Sequence, residues 1–330
     1  MSSDRVWAYL RMTRAEPPGG IRGARRKTYV AALEQAQQMF AAAATVGVAT
    51  RPLLLFYGLS QGGRAVAAAA KSVSNNDYAL RGHGIKANPA TFNGPLTKVE
   101  VHTEGRDDAS FKRLSGILAS PTWDAHTPLT LGELWNSLPE GQDMSLDPTI
   151  GASPLPASVH SSVEDPSELL LVVSAIPAEV MPSVHDNDFG PALNQFLGRY
   201  PTLSGSVKRL SRGVGPFGGG GSVQFAYPAS ANSNYQQREA IAESHSTRYR
   251  LHDRFVFPAL GANSAPLHPL LAWWALLFAL SMLARYHPES WADHIAVDTS
   301  SIAVAIETLL SDALTVVPQI LLRTILDVAQ

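Results

Sequence analysis

The residues best suited to binding or chemistry lie in one short segment, where a histidine stands between two glycines among basic side chains. Arg81, His83 and Lys86 occur within six positions, and glycines 82 and 84 flank the histidine. Glycine lets a backbone approach a ligand closely, and cationic groups in such a turn suit a phosphate or carboxylate. We therefore predict Arg81, His83 and Lys86 as ligand-binding residues. The alternative is a turn in which His83 only caps neighbouring backbone.

A second group of candidates ends the most apolar segment of the chain, where Arg285, Tyr286 and His287 follow one another. A cation at this place has a structural explanation, because the C-terminal end of a helix carries partial negative charge. The functional explanation is a catalytic site, for which His83, Arg285 and His287 are the candidate residues. Their residue types do not specify a reaction.

A serine nucleophile is the chemistry suggested by the stretch from Gly58 to Gly62, which reads G-x-S-x-G around Ser60. A nucleophile elbow needs a strand before the serine and a helix after it. The preceding residues have helical patterns, so we predict that Ser60 lies within one buried helix. Gly58 and Gly62 then share a face that admits a neighbouring helix, which we expect to be one of the apolar C-terminal helices. A serine hydrolase remains the less favoured enzyme alternative.

A helical ribonuclease of the HEPN class is the other enzyme alternative. Arg238 and His245 have the R-x(4–6)-H spacing of that class and would share one helical face. A chain with this many arginines and histidines contains such a pair by chance, so the pair alone does not favour the ribonuclease.

Motifs for metals and cofactors have more ordinary explanations. The G-x-G-x-x-G from Gly213 to Gly218 contains Pro216 and precedes a run of glycines. The helix that a dinucleotide fingerprint requires cannot follow it. The run from His185 to Asp188 offers metal-compatible side chains, but contiguous ligands rarely converge on one ion. We predict no cofactor and no metal site.

Composition narrows the class of protein. The chain has no cysteine, which excludes disulfides, thiolate metal ligands and a cysteine nucleophile. The N-terminus is charged throughout and lacks an apolar signal segment, so we expect a cytoplasmic protein. The most apolar run, residues 270–284, is too short for a bilayer core and predicts a buried helix.

The net charge of −2 hides an asymmetry along the chain. Residues 1–100 carry 13 basic and 5 acidic side chains, whereas residues 101–200 carry 4 basic and 14 acidic ones. Two interpretations stay open: the two regions neutralise each other in the fold, or the basic region offers a positive face to an anionic partner.

Periodicity predicts an α+β fold that is predominantly helical. Helical N- and C-terminal parts, residues 1–75 and 266–330, should pack together around a mixed, loop-rich part, residues 76–265, within a single domain of residues 1–330. Helices are expected at about 26–45, from 50, 111–118, from 130, 236–244, 270–285 and 302–314, with a last one opening at Pro318. Strands are expected at 96–102, 168–176, 222–227 and 249–257, with loops at 139–168 and 201–221.

Four segments in order resemble the bacterial YaaC-like family. They are RPLLLFYGLSQ at 51–61, the His-Gly pair at 83–84, KVEVHTEGRDDASFKRLSGIL at 98–118 and LSMLARYHPESW at 280–291. The resemblance extends over nearly the whole chain. It implies no biochemical activity, so it assigns no catalytic residue; it marks Phe56, Tyr57, Gly58, His83, Gly84, Arg285, Tyr286 and Pro288 as typical of the family.

These observations favour a soluble bacterial protein that binds an anionic partner, namely a nucleotide, RNA or another protein. The basic first hundred residues and the group Arg81, His83 and Lys86 motivate this hypothesis. The oligomeric state and the membership of any pathway do not follow from the sequence.

Overall fold

The structure is a computed structural model that describes residues 3–74, 77–162, 165–181, 190–204, 207–211, 221–250 and 253–330. Its contacts divide the chain into two compact units. The helical unit comprises Met1–Gly151, Leu260–Asn263 and Leu267–Gln330, and the sheet unit comprises Ala152–Ala259 and Ser264–Pro266. With 54% helix and 14% strand, the predicted α+β, mostly helical class is confirmed. The expectation of a single domain stays a prediction.

The helical unit contains nine α-helices among the described residues, together with a small sheet. The helices are α1 (Ser3–Ala15), α2 (Gly23–Thr45), α3 (Arg51–Ala69), α4 (Ser110–Ile117), α5 (Leu131–Asn136), α6 (Pro139–Asp143), and three that we number α9 (Pro269–Tyr286), α10 (Pro288–Ile295) and α11 (Ala303–Val328) after the two helices of the sheet unit. The strands are β1 (Ile85–Ala87), β2 (Glu100–Thr103) and β3 (Leu129–Thr130).

Helix α3 lies at the centre of the helical unit, and three of its glycines meet three different neighbours. A Cβ at Gly58 would lie 2.7 Å from the Phe40 ring of α2, and one at Gly62 would lie 2.9 Å from Leu321 of α11. A Cβ at Gly63 would lie 2.4 Å from the ring of Trp274 in α9. The predicted close approach is confirmed at Gly62, but Gly58 contacts α2 rather than a C-terminal helix.

Helix α9 is buried along most of its 18 residues, as predicted for a core helix. His268 precedes it and accepts a hydrogen bond from the Leu270 N–H through Nδ1 at 3.2 Å, which satisfies one of the free donors of the first turn. Helices α9 and α11 are long and apolar enough to cross a membrane, and in this fold most of each apolar segment is buried inside the protein.

The prediction that a last helix opens at Pro318 is wrong, because α11 runs unbroken through that residue. A proline within a helix removes the N–H that would bind the carbonyl four residues earlier, here that of Leu314. The Ser3 hydroxyl of α1 donates to this same carbonyl at 3.1 Å. The side chain thus replaces the missing backbone donor, and burial of Pro318 stabilises the continuous helix.

Basic side chains of the first hundred residues stabilise helix ends. Arg25 donates to the carbonyl oxygens of Ala68, Ala70 and Val73 at the end of α3. Arg51 donates to those of Ala43 and Val46 at the end of α2, at 3.2 and 2.9 Å. Cations at these carbonyls complement the helix dipole. Part of the basic excess is therefore structural and compensates backbone carbonyls rather than acidic residues.

The small sheet of the helical unit is antiparallel, in the order β1-β2-β3. The predicted strand at 96–102 is only half correct, since Leu96–Lys98 forms a 3-10 turn and β2 starts at Glu100. The capping box predicted at Thr130 and Glu133 is confirmed at the start of α5. The predicted loop at 139–168 is wrong, because it contains α6 and the strand β4 (Leu155–Ser161). Pro139 opens α6, a position at which its missing N–H has no helical partner.

The sheet unit holds a six-stranded antiparallel sheet in the order β6-β7-β5-β4-β9-β8. Besides β4 its strands are β5 (Glu168–Ile176), β6 (Val207–Ser211), β7 (Gly221–Pro228), β8 (Thr247–Arg248) and β9 (Arg254–Val256), and its helices are α7 (Gly190–Leu197) and α8 (Tyr235–His245). Strand β5, predicted from its apolar run, pairs with β4 and β7. The predicted loop at 201–221 is wrong in part, because β6 pairs along β7. Leu171, Val173 and Phe225 lie in the core of this unit.

Candidate functional site

The loop of residues 81–84 is fixed by the N-terminus of α4. The Ser110 N–H donates to the Arg81 carbonyl at 3.0 Å, and the Phe111 N–H donates to the His83 carbonyl at 2.9 Å. These bonds satisfy first-turn donors that a helix cannot pair internally. Gly84 has φ +74°, and a Cβ there would lie 3.0 Å from the Phe111 nitrogen. Only glycine fits, and the loop holds His83 in one place.

The His83 imidazole packs on two buried aromatic rings. Its centroid lies 5.7 Å from those of Phe56 in α3 and Phe278 in α9. Phe56 and Phe278 contact each other at 5.3 Å. The side chain of His83 is nevertheless exposed to solvent. The imidazole is therefore presented at the surface over the line where α3 and α9 meet.

Two arginines act on this imidazole. Burial against the rings lowers the pKa of His83 below its ordinary value of 6.5, and the charges of Arg285 and Arg64 lower it further. The Arg285 Nη1 donates to the Tyr57 hydroxyl at 2.8 Å, and the Arg64 Nη1 donates to the Leu80 carbonyl at 3.0 Å. Tyr57, Arg64, His83 and Arg285 form what we call the His83 site: a neutral imidazole in a positive field.

Helical spacing explains how the site is assembled. Tyr57 and Arg64 are seven residues apart on α3, as are Phe278 and Arg285 on α9, so each pair lies on one helical face. In the sequence, Tyr57 is marked only by the family resemblance, and no motif marks Arg64. The seven-residue spacing was visible in the sequence, but the packing of α3 against α9 was not.

The other predicted site residues lie outside this group. Arg81 is exposed, and its backbone rather than its side chain bonds to α4. The Lys86 ammonium lies 3.5 Å from a Glu104 carboxylate oxygen. His287 follows α9, and its ring stands edge-on to Phe92 at 4.8 Å, which gives it a packing role. Of the predicted catalytic candidates, the structure brings together His83 and Arg285.

Ser60 does not lie on a nucleophile elbow. It is the tenth residue of α3, which begins at Arg51, and no strand precedes it among the described residues. The strand-turn-helix geometry that exposes a serine nucleophile is therefore missing. The serine hydrolase alternative is wrong for Ser60.

Arg238 and His245 are both engaged in structural contacts of the sheet unit. Arg238 donates to the Pro166 carbonyl at 2.6 Å. It also donates, each time at 3.4 Å, to three further carbonyls, those of Glu168, Ser230 and Ser233. The His245 ring stacks on Tyr227 at 3.5 Å, and its Nδ1 lies 2.7 Å from the Thr202 carbonyl. These contacts account for both residues without catalysis.

No group of three or more His, Asp or Glu side chains is placed to hold a metal ion within the described part of the chain. The run His185–Asp188 and the motif Gly213–Gly218 lie outside that part.

Comparison with known proteins identifies the family. The family described as YaaC-like Protein matches residues 7–325, a range that spans both compact units. No curated protein matches the chain significantly, and neither does any solved structure. The residues that formed the sequence resemblance, including Phe56, Tyr57, His83 and Arg285, all lie within the matched range. The chain belongs to the YaaC-like protein family.

Proposed function

We propose that the protein binds an anionic, phosphate-bearing partner, a nucleotide or RNA, at the His83 site. The observation that carries this proposal is that the charges of Arg285 and Arg64 both act on the imidazole of His83, an exposed residue. Arginine suits phosphate because its planar group donates several hydrogen bonds in fixed directions. A bound anion would lower the local positive potential and stabilise the protonated form of His83.

An exposed aromatic side chain beside the arginine supports a nucleotide rather than a simple anion. The Arg285 guanidinium lies 5.0 Å from the Tyr286 ring centroid, and the Tyr286 side chain is 55% exposed. Arginine over an aromatic ring offers a base a stacking surface next to a phosphate contact. Tyr286 and the His83 site together could thus hold both parts of a nucleotide.

Fluorescence polarisation with a labelled single-stranded RNA tests this proposal, with ATP as a competitor. Arg285→Gln should weaken RNA binding at least about tenfold, because one charge-assisted phosphate contact contributes about 1.5–3 kcal/mol. Arg323→Gln is the matched control, since Arg323 is paired with Asp327 at 2.8 Å on α11 and its loss changes the net charge equally. Equal binding by wild type, Arg285→Gln and Arg323→Gln would refute the proposal.

The pH dependence supplies a second readout. Protonation of His83 adds a positive charge, so RNA affinity should rise as the pH falls from 7 to 5.5. His83→Gln should remove most of this rise. If His83→Gln keeps the full pH dependence, the imidazole does not face the ligand.

The same samples separate the alternatives. Cleavage of the RNA by the wild type and not by His83→Gln would favour the ribonuclease alternative at this site. Lack of any nucleotide or RNA binding would leave a protein as the anionic partner, to be sought by co-purification from the native host.

A further inference from the structure

One face of α1, together with the adjoining part of α11, exposes a group of apolar side chains. Tyr9, Met12 and Leu326 are 40%, 67% and 42% exposed. They are three of the eight large apolar side chains that are exposed within the described part of the chain. Together with Glu16 and Leu322 they border one groove of about 330 Å³. Apolar side chains that are exposed side by side mark interaction surfaces, whereas singly exposed ones are ordinary.

Two charged residues continue this face at its two ends. Arg5, Tyr9, Met12 and Glu16 follow one another at spacings of four, three and four residues, so they lie on one helical face. The Glu16 N–H donates to the Met12 carbonyl at 3.5 Å, which extends the helical turn to Glu16. Arg5 and Glu16 are exposed, and neither has an ion-pair partner among the residues that the structure describes. We call these four residues the α1 stripe: a cation, an apolar centre and an anion.

The α1 stripe is complementary to a second copy of itself when the two helices run antiparallel. Arg5 of one copy then lies opposite Glu16 of the other, and Tyr9 lies opposite Met12. Two-fold symmetry repeats both pairs, because such an interface brings the same surface of each copy together. A parallel arrangement would instead set Arg5 against Arg5. The order of residues along α1 therefore favours one occupant, a second copy of this chain, and one direction.

We propose that the protein forms a two-fold symmetric homodimer through the α1 stripe, flanked by Leu322 and Leu326. The two Arg5–Glu16 pairs set the antiparallel direction, and burial of Tyr9 and Met12 supplies the hydrophobic contribution. A methionine sulfur also packs well against an aromatic ring. One helical face and its flank form a small interface, so the dimer should dissociate on dilution. The inference does not depend on the function proposed for the His83 site.

Analytical ultracentrifugation of the whole chain tests the inference, at concentrations from about 1 to about 200 µM. The wild type should shift from monomer to dimer over this range. Met12→Glu should remain monomeric, because it places a charge in the apolar centre. Arg11→Glu is the matched control: Arg11 is also exposed on α1, but it borders a different cleft, with Gln37 and Phe40 of α2. It should dimerise as the wild type does.

Reversal of the two charges tests the antiparallel pairing itself. Arg5→Glu and Glu16→Arg should each raise the dimer Kd about tenfold, because two attractive pairs become repulsive ones. The double variant should restore the wild-type Kd. A mixture of the two single variants should form a heterodimer as tight as the wild-type dimer. Neither reversal should lower the melting temperature of the monomer, since an acid near the start of α1 and a base near its end suit the helix dipole.

Three results would overturn the inference. The first is a wild type that stays monomeric at about 200 µM, which would leave the α1 stripe to a different protein. The second is a dimer that Met12→Glu does not weaken. The third is a double variant that dimerises no more tightly than the single ones, because the two charges would then not meet across the interface. If Met12→Glu does not fold, the charge reversals alone decide.

Discussion

The glycine at position 63 provides a quantitative test of how α3 packs at the centre of the helical unit. In Gly63→Ala the new Cβ would lie 2.4 Å from the Trp274 ring and 2.7 Å from Leu114 Cδ1. Both neighbours are fully buried, so neither can move into solvent. Overpacking of this kind costs about 3 kcal/mol at the upper end of the usual range. The helical preference of alanine offsets at most about 1 kcal/mol of that cost.

The net loss in the free energy of unfolding is therefore about 2 kcal/mol. For a unit of this size it corresponds to a decrease of about 4–8 °C in melting temperature. Gly116→Ala is the matched control, because Gly116 is exposed in α4 and a Cβ there meets nothing within 4 Å. It should stabilise the protein by about 0.4–1 kcal/mol.

Urea unfolding followed by circular dichroism, with differential scanning calorimetry, measures both variants. The same change from glycine to alanine should lower the free energy of unfolding at position 63 and raise it at position 116. If Gly63→Ala were as stable as the wild type, α3 would not pack against Trp274 as described. The packing of α3 on α9 that positions Phe56 and Phe278 would then be refuted as well.

Three further outcomes follow from described contacts. Burial lowers the pKa of His268 from 6.5 to about 4. The contribution of the neutral imidazole to the free energy of unfolding is therefore complete above pH 6.5 and is lost as the pH falls toward 4. Between pH 7 and 5 the free energy of unfolding should fall by at most about 2 kcal/mol, because His268 is partly exposed. Urea titrations at the two pH values measure this fall. It should be smaller in His268→Asn, because asparagine does not titrate and still offers an acceptor to the first turn of α9. Ser3→Ala should lower the free energy of unfolding by about 1 kcal/mol, because the Leu314 carbonyl loses its donor; no change in urea midpoint would contradict that bond. Arg285→Gln should raise the pKa of His83 in NMR titrations, because one of the charges that lower it is removed.

Local patterns in the sequence predicted the elements that depend on neighbouring residues. The capping box at Thr130, the apolar strand at 168–176 and the helix from about 236 to 244 all agree with the structure. The wrong secondary-structure predictions lie where a contact with a residue distant in the sequence determines the local structure. Pro318 would end a helix in isolation, and the hydroxyl of Ser3, more than 300 residues earlier in the chain, supplies the missing hydrogen bond.

The candidate site also combines features that the local sequence indicates with features that depend on distant contacts. The sequence indicates His83 and Arg285 separately, His83 by its glycine neighbours and Arg285 by its place at the end of an apolar helix. Nothing in their local sequence indicates that α3 and α9 pack so as to bring them together. Arg64 was missed because an arginine within a helix has no local signature of function, and its effect on His83 arises only through the folded structure.

The bond between Ser3 and the Leu314 carbonyl also has a dynamic consequence. Opening of α1 removes this donor and exposes to water the place where the ladder of α11 is interrupted. The amides of α11 on both sides of Pro318 should then exchange with deuterium at a rate set by opening of α1. The long apolar helix α11 would thus owe its protection from exchange to the first turn of α1.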